Sequence, residues 1–180
     1  MNQKQLLYID LDSTIFNFQK QFNKYHTINT GEDLSHQSWN GYELYKLFGL
    51  SKEHQYKYLS QANFFEDMKP YDNAIPTILD LIDKYSVFFV TTCVVAEAFS
   101  GKYKSLKKHL GDKFDISMLI TMQDKHILRN GIIIDDSPYT LSYCKENGHT
   151  VIKFCQDYNS EVKVDHEITQ WSQIRDILLP

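Results

Sequence analysis

Apolar and polar positions fall into blocks along this chain, with short continuous apolar runs separated by longer segments of helical spacing. Five runs rich in strand-forming residues occur at 6–9, 86–90, 116–121, 131–134 and 151–154. Because these runs lack polar alternation, they predict strands that are buried on both faces. With helices between them, they predict an α/β fold built on a doubly wound, parallel, five-stranded Rossmann-like sheet.

The segments between the strands contain residues that typically begin or end helices. Ser51 is suited to cap a helix over 52–61, Asn73 to cap the next helix, and Gly111 to end the helix after the second strand. Two further helices are predicted over 139–146 and 171–179. These helices supply the layers that cover the predicted sheet.

Residues 16–71 differ from the rest of the chain because they contain no strand pattern. Their aromatic residues recur at helical spacing, as in Phe18, Phe22, Tyr25, Tyr42, Tyr45 and Phe48. We therefore predict a small helical cap subdomain over 16–71, inserted after the first strand. Residues 1–15 and 72–180 would together form the core domain.

Composition narrows the classes of partner. A net charge of -4 over 180 residues argues against binding to nucleic acid polymers, but it is compatible with a small anionic substrate. Cys93, Cys144 and Cys155 have no spacing typical of disulfide frameworks or zinc sites. No apolar stretch is long enough to cross a bilayer. We expect a cytoplasmic protein that does not associate with membranes, and a homodimer is compatible with the sequence.

Polar side chains follow four of the predicted strands at their carboxyl ends: Asp10 and Asp12, Thr91 and Thr92, Lys125, and Asp135 and Asp136. The carboxyl ends of parallel strands meet at one edge of a sheet. Clustered carboxylates repel one another unless a cation lies between them, and oxygen ligands favour magnesium. An Asp-x-Asp pair alone is equally typical of a strand that ends in turn-forming acids, so the prediction of a magnesium and phosphate site depends on all four positions together.

The four motifs come in the order typical of one enzyme superfamily. DLDST from Asp10, VFFVTT ending at Thr92, a lysine at 102 or 125, and IIIDD ending at Asp136 resemble the haloacid-dehalogenase (HAD) superfamily of phosphotransferases. Residues 63–70 and 123–125, among others, further resemble the 5'(3')-deoxyribonucleotidases within it.

The chain departs from the usual pattern of these nucleotidases at three positions. Ser13 stands where glycine is usual, Cys93 where proline is usual, and Gln123 where arginine is usual. None of these departures removes a group that the phosphatase chemistry needs, so the reaction is expected to be retained. The base preference, by contrast, stays open.

The resemblance implies roles for the acidic residues. Asp10 would be the nucleophile that forms an aspartyl-phosphate, and Asp12 would act as general acid and base. Magnesium would be held by Asp10, by the backbone carbonyl of Asp12, and by one or both of Asp135 and Asp136. If only one of this last pair binds the metal, the other would orient a lysine.

The resemblance also implies which residues bind the substrate. Four residues are assigned to the phosphate, with Lys102 secondary to Lys125 and with the backbone amides after Asp10 and near Thr92 helping: Thr91, Thr92, Lys125 and Lys102. Phe18 is the first candidate for stacking on the base, and three further candidates are weaker because aromatic residues are more often part of the core: Phe64, Phe65 and Trp39. The expected substrate is a deoxyribonucleoside 5'- or 3'-monophosphate.

Two other functions are compatible with the same motifs. A HAD phosphatase could act on a sugar phosphate, phosphoserine or a nucleic-acid end, because the catalytic motifs are shared and only the cap discriminates. A non-catalytic, receiver-like phosphate-responsive module is the second alternative. Receivers have their acceptor aspartate at a middle strand, whereas the run ending at Val90 leads into threonine, so the motif order disfavours this alternative.

Overall fold

Strand β1 (Leu6–Ile9) lies inside a parallel sheet in the computed structural model, which describes residues 4–39, 48–61 and 63–179. Within these residues the sheet has six strands in the order β3-β2-β1-β4-β5-β6, and every neighbouring pair is parallel. The other strands are β2 (Ser86–Thr91), β3 (Leu119–Thr121), β4 (Ile132–Asp135), β5 (Thr150–Phe154) and β6 (His166–Ile168). The predicted α/β class and doubly wound parallel sheet are confirmed.

Both faces of the sheet are covered, as the continuous apolar runs predict. Leu7 and Ile9 belong to one core cluster, whereas Tyr8 between them belongs to the cluster on the other face. β4 repeats this division, with Ile132 on the first face and Ile133 on the second. Each fully buried aliphatic side chain contributes about 1.5–3 kcal/mol, so these short strands anchor the residues that follow them.

The described helices are α1 (Phe18–Thr30), α2 (Lys52–Leu59), α3 (Ala74–Lys84), α4 (Ala96–Leu110), α5 (Pro138–Glu146) and α6 (Gln173–Leu178). The Ser51 hydroxyl caps α2 by accepting a hydrogen bond from the His54 backbone N–H at 3.2 Å, and Gly111 follows α4. Asn73 does precede α3, but its side chain makes no cap hydrogen bond because its backbone is left-handed, with φ of 62°. None of the helices in the described ranges is both long and apolar enough to span a membrane.

Two strand predictions need correction. The third strand begins only at Leu119, because residues Ile116–Met118 form a 3-10 turn that the Asp115 side chain caps by accepting from the Ser117 N–H at 2.8 Å. The prediction of five strands missed β6, whose three residues include two exposed ones and so carry no apolar run.

The two ends of the segment predicted as a cap lie next to each other. Phe16 forms isolated bridges with both Asp12 and Pro70, so the two ends of the segment lie side by side. Between them, α1 and α2 pack through aromatic contacts such as that of Phe22 with Tyr58, whose ring centroids are 5.5 Å apart. Tyr42 and Tyr45 lie outside the described residues. The division into a cap over 16–71 and a core stays a prediction.

Candidate active site

Three carboxylates converge where β1 and β4 end. Asp10 directly follows β1, Asp135 is the last residue of β4, and Asp136 comes next. One carboxylate oxygen from each of these residues lies within 4.8 Å of the others, and all three residues are buried. β1 also lies between β2 and β4, at the point where the strand order reverses, which is where open α/β sheets bind ligands.

Lys125 supplies positive charge to this cluster. Its Nζ contacts the Asp10 carboxylate and lies 2.6 Å from Asp135 Oδ2. Burial would lower the pKa of Lys125, but the two carboxylates outweigh burial and raise it. Burial raises the pKa of Asp135 to about 6, with Lys125 opposing the rise. The raised pKa keeps Lys125 positively charged, and Lys125 contacts Asp135. Which of Asp135 and Asp136 binds a metal directly stays a prediction.

Asp136 is held by hydroxyl groups instead. The Thr14 hydroxyl donates to Asp136 Oδ1 at 2.7 Å, and the Tyr158 hydroxyl donates to Oδ2. Asn159 Nδ2 donates to the Asp136 backbone carbonyl at 2.8 Å. Burial, and then the neighbouring Asp10 and Asp135, raise the pKa of Asp136 well above its ordinary value. The sequence interpretation missed Tyr158 and Asn159, although both lie just beyond the carboxyl end of β5, at the same sheet edge as the motifs.

The backbone turn that follows β1 is held in place by several hydrogen bonds. Ser13 adopts a left-handed φ of 61°, which costs a non-glycine residue about 1–2 kcal/mol, and its N–H donates to the Phe16 carbonyl at 2.8 Å. Gln156 Nε2 donates to the Ser13 carbonyl at 2.8 Å, and Trp171 Nε1 donates to the Thr14 carbonyl at 2.8 Å. These bonds hold the strained turn, and they explain how serine is accommodated where glycine is usual.

Lys102, which is itself buried, forms a second ion pair beside the first. Its Nζ lies 2.7 Å from Asp12 Oδ2, and it donates to Thr91 Oγ1 and to the Thr92 carbonyl, both at 2.8 Å. It also lies 4.7 Å from the centre of the Phe65 ring, outside the wall of the cavity described below. This corrects the prediction that Lys102 binds phosphate, because its three donors are already directed at protein oxygens.

Gly101 allows this second pair to form. A Cβ at Gly101 would lie 2.9 Å from Phe65 Cβ, so a larger residue would push α4 away from the segment that contains Phe65. The close approach brings the next residue, Lys102, under the Phe65 ring and against Asp12.

The two carboxylate oxygens of Asp12 differ in their contacts. Oδ2 pairs with Lys102, whereas buried Oδ1 has no hydrogen-bond partner within the ranges that the structure describes. Burial raises the pKa of Asp12, and the negative charge of Asp10 raises it further, although Lys102 opposes both effects. A carboxyl group with a raised pKa and a free oxygen is suited to exchange a proton with a bound substrate.

The two threonines after β2 differ in their surroundings. Thr91 is buried and accepts from Lys102 through Oγ1, so its own hydroxyl hydrogen is directed elsewhere. Thr92 is exposed, and its hydroxyl donates to the Met122 carbonyl at 3.2 Å. The Thr92 hydroxyl therefore links the end of β2 to the residue after β3, and phosphate binding near Thr92 stays a prediction. Both residues border the cavity.

A cavity of about 400 Å³ opens above these groups. Its floor is charged, and its described charged lining residues are Asp10, Asp12, Lys125, Asp135 and Asp136. The uncharged part of the described lining, here called the upper wall, includes Phe18, Trp39, Leu59, Phe65 and Val94 with the amides Gln19, Gln55 and Gln123. The site therefore places an acidic centre beneath a pocket that suits an uncharged, flat group.

The four aromatic candidates for base contact do not share one environment. Phe18, Phe65 and Trp39 lie in the cavity wall, and contact of these three with a base stays a prediction. Phe64 is fully buried, and its ring packs edge-on against Phe18 at 5.5 Å and Tyr25 at 5.0 Å. The prediction that Phe64 contacts the base is therefore corrected. Phe64 instead packs against Phe18 from the core.

The cluster fits a magnesium ion. Among the described residues, the only cluster of three or more possible metal ligands consists of the carboxylates of Asp10, Asp135 and Asp136, which offer oxygen donors alone. Hard oxygen donors select magnesium, calcium or manganese over metals that prefer nitrogen or sulfur ligands. A divalent cation would also offset the mutual repulsion of three buried carboxylates, which Lys125 offsets only in part.

Comparisons with known proteins agree with this geometry. A family model described as "5' nucleotidase, deoxy (Pyrimidine), cytosolic type C protein" matches residues 4–180. No curated protein sequence gives a significant match to the chain.

Solved structures share the fold at low sequence identity. A haloacid dehalogenase-like hydrolase from Streptococcus pneumoniae aligns with a TM-score of 0.68 and 16% identity, covering 98% of this chain and 99% of that one. A protein from Clostridium difficile classed as a phosphatase aligns with a TM-score of 0.66 and 15% identity over 99% and 100% of the chains. A HAD hydrolase from Bacillus subtilis, described as bound to magnesium, aligns with a TM-score of 0.60 and 17% identity over 99% and 100%.

Proposed function

The chain belongs to the cytosolic deoxy-5'-nucleotidase family of HAD phosphatases, and we propose that it is a magnesium-dependent phosphatase of deoxyribonucleoside monophosphates. One observation carries the proposal: an Asp10, Asp135 and Asp136 cluster forms the floor of a cavity whose described upper wall is aromatic and neutral. The floor suits a phosphate with a metal ion, and the wall suits a nucleobase. The family description supports action on free nucleotides in the cytoplasm.

In the first step, a carboxylate oxygen of Asp10 attacks phosphorus. The new O–P bond forms as the bond from phosphorus to the nucleoside oxygen breaks, and Asp12 gives its proton to that leaving oxygen. Asp12 is suited to this role because its pKa is raised and its Oδ1 is free within the described chain. The products of the step are the nucleoside and a phosphoryl group on Asp10.

In the second step, Asp12 takes a proton from water, and the water oxygen attacks phosphorus. The Asp10–phosphorus bond breaks, which releases inorganic phosphate and restores both carboxyl groups. The Thr91 hydroxyl donates to a phosphate oxygen, and Lys125 beside Asp10 balances the charge of the transferring group. Magnesium would be held by Asp10, Asp135, Asp136 and the Asp12 backbone carbonyl, and it would supply positive charge that offsets the repulsion between these carboxylates and a phosphate dianion.

The neutral upper wall favours a nucleotide over the alternative substrates. Phosphoserine and carboxylate-bearing phosphates need a charged partner for their second ionic group, yet the charged residues in the described cavity lining lie at the floor. Sugar phosphates have no flat ring, so they would leave the faces of Phe18, Trp39 and Phe65 without a stacking partner. A nucleobase gains from stacking on such side chains, by roughly 1–3 kcal/mol per base.

A phosphomonoester panel tests this function. We expect deoxyribonucleoside monophosphates to be hydrolysed with the highest kcat/KM when magnesium is present, ahead of sugar phosphates, phosphoserine and phosphoglycolate. Chelation with EDTA should reduce activity to background, and excess magnesium should restore it. Phosphate release measured on 5'- and 3'-monophosphates would define the preferred position. Hydrolysis confined to sugar phosphates would contradict the nucleotide assignment, and magnesium-independent hydrolysis would contradict the metal requirement.

A further inference from the structure

Gln55 presents an amide to the cavity from α2. It lies one helical turn before Leu59, so the two side chains share one face of the helix, and both line the cavity. The same wall contains Phe18, Trp39 and Phe65. Gln55 is thus a polar group that shares the wall with aromatic and aliphatic side chains, on a helix that contributes none of the charged lining residues.

The Gln55 side chain has unused hydrogen-bonding capacity. Its Oε1 is buried, and it makes no hydrogen bond to any part of the chain that the structure describes. A buried acceptor without a partner is costly, and native proteins usually satisfy such groups. Because Gln55 lines the cavity, a bound molecule with an N–H donor can satisfy this oxygen.

The surrounding groups indicate which kind of molecule that is. Phe18, Trp39 and Phe65 provide faces for a flat ring, and a primary amide pairs with a ring edge that carries an N–H donor beside an acceptor. Nucleobases have such edges. In uracil and thymine, N3–H would donate to Oε1 while a neighbouring carbonyl accepts from Nε2.

We infer that Gln55 is a specificity-determining residue whose side-chain amide forms hydrogen bonds with the polar edge of the substrate's nucleobase. The inference rests on the proposed nucleotidase function and adds the residue that recognises the base. Phe18, Trp39 and Phe65 contact the faces of the base, and the Gln55 amide forms hydrogen bonds with its edge. The phosphate chemistry at the floor does not involve this contact.

The first test compares Gln55→Leu with wild type on a nucleotide and on a substrate without a nucleobase. For dTMP, kcat/KM is expected to fall by about 10- to 100-fold, chiefly through a higher KM, because a contact remote from the reacting atoms contributes uniform binding. For p-nitrophenyl phosphate the value should fall much less, since that substrate has no base edge. Gln37→Leu, the same change at an exposed position, is the matched control and should behave as wild type on both.

The second test uses Gln55→Glu, which preserves shape but removes the amide donor. A carboxylate accepts from two adjacent N–H groups, as guanine offers at N1 and N2, but it repels the carbonyl beside N3–H of thymine. The ratio of kcat/KM for dGMP to that for dTMP should therefore rise by roughly 10-fold or more. This ratio decides the inference even if Gln55→Leu fails to fold, because a purely structural role would not change base preference.

The outcomes separate the inference from the proposed function. Equal losses on both substrates for Gln55→Leu, or an unchanged dGMP to dTMP ratio for Gln55→Glu, would overturn the role of Gln55 while leaving a nucleotidase. Wild-type hydrolysis of p-nitrophenyl phosphate without hydrolysis of any nucleoside monophosphate would overturn the proposed function itself, and the inference with it.

Discussion

Replacement of Asp10 by asparagine is expected to lower phosphatase activity by at least about 10⁴-fold while the protein stays folded. The neutral amide oxygen is a poor nucleophile and cannot carry the phosphoryl group to water. Folding should persist because the Asp10 backbone N–H still donates to the Ile134 carbonyl, which is 2.9 Å away. The substitution also removes one of three clustered carboxylates. Phosphate release from dTMP with magnesium measures the effect.

The control for this substitution is Asp112→Asn, the same change at an exposed carboxylate far from the cluster in sequence. Its activity should match wild type. Thermal unfolding with and without dTMP and magnesium should show that Asp10→Asn still folds and binds nucleotide. Turnover by Asp10→Asn at a rate near that of wild type would refute the assignment of Asp10 as the nucleophile.

Replacement of Lys125 by methionine is expected to weaken both stability and catalysis. In metal-free buffer, the free energy of unfolding should fall by about 3–5 kcal/mol, because Asp10 and Asp135 lose the buried cation that they share. With magnesium and dTMP, kcat should fall by about 10²- to 10³-fold, because a preorganised charge beside the transferring phosphoryl group is removed. Urea unfolding and steady-state kinetics measure the two effects.

Lys113→Met is the matched control for the second substitution. Lys113 pairs with Asp83 at 2.7 Å, but both side chains are exposed, and such pairs contribute about 0–1 kcal/mol. A Lys125→Met protein as stable as Lys113→Met would contradict the account of the buried ion pair. Unchanged kcat would contradict a role for Lys125 in charge stabilisation.

The two acidic residues of the first motif pair with different lysines. Lys125 lies against Asp10, the proposed nucleophile, and Lys102 lies against Asp12, the proposed acid and base. Lys102 also donates to Thr91, so one buried cation links the acid to a hydroxyl that borders the cavity. The two carboxylates that open the chain's first motif thus have separate counter-ions, which suits their separate chemical roles.

The sequence predicted this edge of the sheet well because of a simple geometric rule. Side chains that follow parallel buried strands meet at the carboxyl edge, so Asp10, Thr91, Lys125, Asp135 and Asp136 could be grouped without knowledge of their contacts. The same rule extended to the fifth strand would have added Tyr158, which follows β5 and donates to Asp136.

Contacts that depend on helix orientation could not be predicted in the same way. Lys102 lies on α4, and whether it points to phosphate or to Asp12 depends on how closely Gly101 lets that helix approach Phe65. In the segment predicted as a cap, an aromatic pattern does not distinguish the buried Phe64 from Phe18 in the cavity wall. Strand β6 was missed because a three-residue edge strand has no apolar run.

The covalent intermediate on Asp10 tests the central claim most directly. p-Nitrophenyl phosphate has a leaving group that needs no proton, so an Asp12→Asn variant should still phosphorylate Asp10 but should hydrolyse the product slowly, since it lacks the base. We expect a burst of p-nitrophenolate together with a phosphoryl group on the peptide that contains Asp10, detected by mass spectrometry after rapid acid quench. A burst with the phosphoryl group on another residue, or steady turnover without any phosphorylated protein, would contradict the account.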